Sequence, residues 1–144
     1  MHYRKLKEIV ADQKLLHVEG TSYVDTVAKL MLERNVAAVL IIDDGKLSGI
    51  FTERDLLRRV VAEGRNPADT LIRDVMTSSV VSLNAEQLGF EAVALMIELS
   101  IRHVVVTDLD DGSYGIVSIR DFALSELSSF EKEIEFEKQV WSSI

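Results

Sequence analysis

The chain has 144 residues, one proline and no cysteine; 47% are hydrophobic, and 24 acidic against 16 basic side chains give a formal charge of −8. That size suits one domain, or two very small ones packed together, and a mean hydropathy of +0.13 excludes a mostly disordered chain. The charge argues against a nucleic-acid footprint, the lack of cysteine excludes disulfides and thiolate chemistry, and no apolar run could cross a bilayer. The first seven residues lack the apolar core of a secretory signal, so a soluble cytoplasmic protein is expected.

Residues 14–18 read as a leading strand. Residues 23–34 place Val24, Val27, Ala28, Leu30 and Met31 at helical spacing. Residues 36–42 are a continuous aliphatic run, read as a strand buried on both faces. Asp43-Asp44-Gly45-Lys46 is a hairpin turn, residues 47–51 a second strand, and Thr52 opens a helix to about Ala62. Residues 63–67 hold the only proline and mark a boundary. The series then recurs: a leading strand at 79–83, a helix at 88–99 with a start weakened by Gly89, strands at 101–107 and 114–117, and a helix from Ser118. Residues 122–144 are helix-compatible. Leu127, Phe130, Ile134, Trp141 and Ile144 form a heptad-like seam that Glu137 interrupts, among Glu131, Glu133 and Glu135. This stretch reads either as a solvated or core-docking tail, or as a dimerisation or partner-binding helix.

The recurrence is an internal repeat. Gly49-Ile50-Phe51-Thr52-Glu53-Arg54-Asp55 returns as Gly115-Ile116-Val117-Ser118-Ile119-Arg120-Asp121, an offset of 66, and Leu6-Lys7-Glu8-Ile9-Val10 as Ile72-Arg73-Asp74-Val75-Met76. Thr52 and Ser118 lie at a strand-to-helix junction, where free N–H groups favour an anion and a hydroxyl can donate to phosphate or ribose. Asp55 and Asp121, three residues on, can accept both hydroxyls of a ribose. Arg54 and Arg120 can screen phosphate. Thr52-x-x-Asp55 and Ser118-x-x-Asp121 equally match a helix capping box, and the two roles are compatible.

The repeat and its paired Gly-x-x-Thr/Ser-x-x-Asp motif resemble the cystathionine-β-synthase (CBS) domain family in its tandem form, the Bateman module, over about residues 6–127. The resemblance implies an α/β fold of two pseudo-symmetric β-α-β-β-α units, 6–65 and 70–127, packed through their sheets, with a helical tail at 128–144. It implies two clefts between the units. One would use Ile116, Ser118, Arg120 and Asp121, with Arg102 and His103 near phosphate and Val36, Ala37 and Lys14 from the first unit. The other would use Ile50, Thr52, Arg54 and Asp55, with Thr77, Ser79 and Val80. Arg102-His103 faces Ala37-Ala38 in the repeat, so the Asp121 cleft has more positive charge to offer a phosphate.

The function implied is a stand-alone regulatory sensor for an adenosine-containing ligand: AMP, ADP or ATP first, then NAD(H) or S-adenosylmethionine. A homodimer through the helices at 54–62 and 120–130, and an effector protein in trans, are expected. No phosphate-binding loop or nucleophile elbow occurs, and His2, His17 and His103 are scattered, so no catalysis and no metal site are expected. A ligand-free dimerisation module and a nucleotide hydrolase are the competing readings.

Overall fold

The computed structural model describes residues 3–142. In chain order it contains α1 (Leu6–Ile9), β1 (His17–Val18), α2 (Val24–Arg34), β2 (Ala38–Asp43), β3 (Lys46–Thr52), α3 (Glu53–Asp55, widening into π-helical turns over Leu56–Val61), a 3-10 turn (Ile72–Asp74), β4 (Ser82–Asn84), α4 (Gly89–Leu99), β5 (His103–Thr107), β6 (Gly115–Ser118), a second 3-10 turn (Ile119–Asp121) and α5 (Leu124–Ser142). These elements form two compact units. The middle unit is Lys14–Val80; the flanking unit is built from the chain on either side of it. Among the described residues, no helix is long and apolar enough to cross a membrane.

In the middle unit the sheet order is β1-β2-β3, with β1 parallel and β3 antiparallel to β2. Asp44 and Gly45 both have positive φ, as a two-residue hairpin turn requires. Val39, Ile41 and Phe51 alternate onto the face that meets Val24, Val27 and Met31 of α2. The aliphatic run becomes strand at Ala38 rather than at Val36. Asn35 takes a left-handed conformation at the end of α2, and Val36 N–H closes the helix on the Met31 carbonyl. Asp43, at the other end of β2, accepts hydrogen bonds from Gly20 N–H and the Ser48 hydroxyl. Both hold its carboxyl below the ordinary carboxylate range.

The flanking unit repeats this plan in the sheet β4-β5-β6. Val104, Val106 and Val117 meet Ala92, Val93 and Met96 of α4, and the core ends in the rings of Tyr3, Phe90, Phe122 and Phe130. Gly89 is required by packing: a Cβ there would lie 2.8 Å from the Phe122 ring. The helix expected from Ser118 is interrupted. After one 3-10 turn the backbone is extended at Phe122 (φ −113°, ψ 136°), which turns that ring onto Phe130, 5.5 Å away, before α5 begins. Arg4 supports the break by donating to the Asp121 carbonyl at 2.9 Å and pairing with Glu126. Burial works against the Glu126 carboxylate, but the bonds from Arg4 and Ala123 N–H hold its pKa below the ordinary value. Phe130 of the seam is buried, Trp141 is exposed, and Ile144 lies outside the described residues.

The compact units do not follow the sequence repeats at 6–65 and 70–127. Ile72 and Arg73 donate backbone bonds to Ser22 and Gly20, and Leu71 bridges Tyr23, all in the middle unit. The corresponding Leu6 and Lys7 donate to Gln87 and Ala85, and Lys5 bridges Leu88, all in the flanking unit. Each compact unit therefore takes the short helical turn that opens the other repeat.

Candidate ligand-binding motifs

Both motifs sit where the last strand of a three-stranded sheet gives way to a helical turn, and both form the capping box their spacing predicts. In the middle unit, Asp55 Oδ2 accepts from Thr52 N–H (3.0 Å) and the Thr52 hydroxyl (3.2 Å), and Asp55 N–H donates back to Thr52 Oγ1. The other oxygen is used too. Oδ1 accepts from the Thr77 hydroxyl at 3.0 Å and lies 3.6 Å from Arg59 Nε. The Asp55 residue is 8% exposed. Thr77 is held there by paired backbone bonds with Ile50, at 2.8 and 3.0 Å.

The flanking motif is more open. Asp121 is exposed, and its Oδ2 accepts from Ser118 N–H at 2.7 Å. Among the described residues, its Oδ1 accepts no hydrogen bond. Ser118 Oγ accepts from Arg120 N–H, which leaves the hydroxyl hydrogen available for a ligand. His103 stands directly across the β5–β6 ladder from Ser118, where the middle unit has Ala38 across from Thr52. Arg102, exposed, immediately precedes β5. In place of the Ile50–Thr77 backbone pair, the Gln13 carboxamide donates to the Ile116 carbonyl at 2.7 Å and accepts from Ile116 N–H at 2.9 Å.

The structure thus gathers Ile50, Thr52, Asp55 and Thr77 into one bonded group, and Ile116, Ser118 and Asp121 onto one strand end with His103. Among the described residues, Ser79 and Val80 make no hydrogen bond to the Thr52 motif; Val80 N–H donates to the Ser78 carbonyl. Arg54 lies in the first helical turn after Thr52. Val36, Ala37 and Lys14 belong to the middle unit, where the Ala37 carbonyl receives Glu53 N–H and the Lys14 carbonyl receives Arg34. Two residues went unnoticed in the sequence. Arg59 had a signal, the helical i, i+4 spacing from Asp55. Gln13 had none, because its role is taken by a backbone group in the other unit. Among the described residues, no cluster of three His, Asp or Glu could hold a metal ion.

The motif glycines differ in how tightly they are held. A Cβ on Gly49 would lie 2.6 Å from Met76 Sδ and 2.8 Å from the Thr77 carbonyl; on Gly115 its nearest neighbours would be carbons of the Val10 side chain at 3.0–3.1 Å. Gly49→Ala is therefore expected to cost about 2–3 kcal/mol by prising Thr77 from Ile50, and Gly115→Ala about 1 kcal/mol or less. Urea unfolding of both variants checks the order; equal losses would contradict it.

The sequence model of the CBS domain matches residues 6–62 and 72–126. Among curated relatives, the Arabidopsis thaliana protein CBSCBSPB1 is 39% identical over 75% of this chain. The Bacillus subtilis CBS domain-containing protein YhcV is 32% identical over 78% of this chain and 79% of its own length. The chain spans between 20% and 66% of the lengths of the first curated relatives it matches. Among solved structures, an uncharacterized conserved protein from Pyrococcus horikoshii is 30% identical, with a TM-score of 0.74 over 89% of this chain and 95% of that one. The CBS domain protein PAE2072 from Pyrobaculum aerophilum, complexed with AMP, shares the fold at 22% identity and a TM-score of 0.78 over 90% and 99% of the two chains. The CBS domain pair of protein MJ0100, in complex with 5′-methylthioadenosine and S-adenosylmethionine, does so at 23% and 0.74 over 90% and 99%.

Proposed function

This chain belongs to the CBS domain family and carries two copies of that domain, and on that premise we propose that it is a regulatory module that binds an adenosine-containing ligand at Ser118 and Asp121. The observation that carries the choice of motif is the state of the two aspartates. Both Asp55 oxygens already have partners in the middle unit, whereas Asp121 is exposed with Oδ1 unoccupied by hydrogen bonds among the described residues. A carboxylate with uncommitted lone pairs is the better acceptor for a ribose edge, and Asp121 keeps more of them than Asp55. Asp121 accepts the ribose hydroxyls, the Ser118 hydroxyl donates to the ligand, Arg120 and Arg102 supply positive charge for phosphate, and His103, with a ring N–H donor, lies beside them. AMP, ADP and ATP suit those cations, NAD(H) is compatible with them, and S-adenosylmethionine would use the same ribose contact. The complexes of PAE2072 with AMP and of the MJ0100 pair with 5′-methylthioadenosine and S-adenosylmethionine support the ligand class.

The module works by differential binding: ligand favours one conformation, and a partner protein in trans reads it. It binds without turnover. A homodimer through the 54–62 region accounts for Leu57 and Val61, one helical turn apart and each 62% exposed. Calorimetric titration with AMP, ADP, ATP, NAD and S-adenosylmethionine tests the reading. At least one is expected to bind with one site per chain. No heat from any of them at millimolar concentration would leave only the dimerisation module.

A further inference from the structure

The backbone N–H and C=O of Ile116 form a donor–acceptor pair at the head of the open motif, two residues before Ser118, and Gln13 occupies both. A carboxamide offers an N–H donor beside an oxygen acceptor. The edge of adenine offers the same pattern, its exocyclic amine beside a ring nitrogen, so a group that pairs with a carboxamide can pair with adenine. In the middle unit the corresponding Ile50 pair is taken by the Thr77 backbone, within the Met76–Thr77 segment packed against Gly49, and cannot be released by turning a side chain. At Ile116 the occupant is an exposed side chain that can leave by rotation. It also lines a cavity of about 480 Å³ with Lys7, Ser113 and Tyr114, which gives the displaced carboxamide room and polar neighbours.

We propose that Gln13 is an internal competitor for the adenine base: its carboxamide holds the Ile116 N–H and C=O until a purine with an exocyclic amine displaces it. The proposal rests on the adenosine reading of the Ser118–Asp121 motif. Gln13 thereby sets both the affinity and the base preference of the site. It is also the last residue before the middle unit begins at Lys14.

The test is titration of the full chain with AMP and with purine riboside 5′-monophosphate, which has hydrogen in place of the exocyclic amine and so offers no donor beside its ring nitrogens. Gln13→Ala removes the competitor and is expected to tighten AMP about tenfold, the worth of about one to two net hydrogen bonds, while purine riboside monophosphate stays as weak as in the parent. Gln13→Glu keeps an acceptor for Ile116 N–H and loses the donor, so it is expected to fall between the two. If the parent binds AMP and Gln13→Ala binds it equally or more weakly, the competitor role is overturned and the adenosine site survives. Equal tightening of both nucleotides overturns competition at the base edge. If neither protein binds AMP, the adenosine reading fails and this inference fails with it. AMP binding by the variant alone supports both.

Discussion

Asp121→Ala is expected to weaken AMP binding about 100-fold, whereas Asp55→Ala changes it less than about threefold. Two hydrogen bonds from ribose hydroxyls to a carboxylate are charge-assisted, and losing both accounts for a decrement of that size. Asp121 is exposed and caps a single 3-10 turn, so its loss costs the fold about 0.5–1 kcal/mol. Asp55 reverses the balance. It is nearly buried and receives Thr52, Thr77 and Arg59, so truncation strands the Thr77 hydroxyl and removes the cap that starts α3. A loss of about 2–3 kcal/mol in stability is expected there. Calorimetry for affinity and urea unfolding for stability separate the two variants. If Asp55→Ala loses the ligand and Asp121→Ala keeps it, the motifs have been assigned the wrong way round.

Why the motifs were legible and their inequality was not follows from particular residues. Gly49 to Asp55 and Gly115 to Asp121 repeat in the sequence, and each sets its own local geometry: a strand end, a hydroxyl cap and a carboxylate three residues later. Those are short-range consequences of residue type, so they survive reading in one dimension. The exchange of leading turns is different. Leu6-Lys7 and Ile72-Arg73 carry the same pattern whichever sheet receives them, and only long-range backbone bonds to Ala85 and Gln87, or to Gly20 and Ser22, decide the matter. The occupied state of Asp55 depends on Thr77, brought back by that exchange. The break before α5 was hidden for a related reason. Nothing around Phe122 disfavours helix locally, and its extended backbone is favoured by the ring it delivers to Phe130 and by the Arg4 bond to the Asp121 carbonyl.

That ring cluster carries the largest stability effect expected. Phe130 is 2% exposed and meets Tyr3, Phe90 and Phe122 at centroid distances of 5.5–6.4 Å. Phe130→Ala removes the transfer energy of a buried ring, its edge contacts with three others, and the anchor of α5, for about 3–5 kcal/mol. Phe136, on the same helix but 62% exposed, sets the control: its truncation is expected to stay within about 0.5 kcal/mol. The consequence reaches the ligand motif, because Phe122 follows Asp121 directly and its seat in the cluster fixes where the 3-10 turn stops. In urea unfolding, Phe130→Ala should lower the midpoint while Phe136→Ala leaves it unchanged, and saturating AMP should recover part of the loss by binding the folded state. Equal midpoints for the two variants would mean that α5 is not held through Phe130, and the account of why the chain turns extended at Phe122 would fall with it.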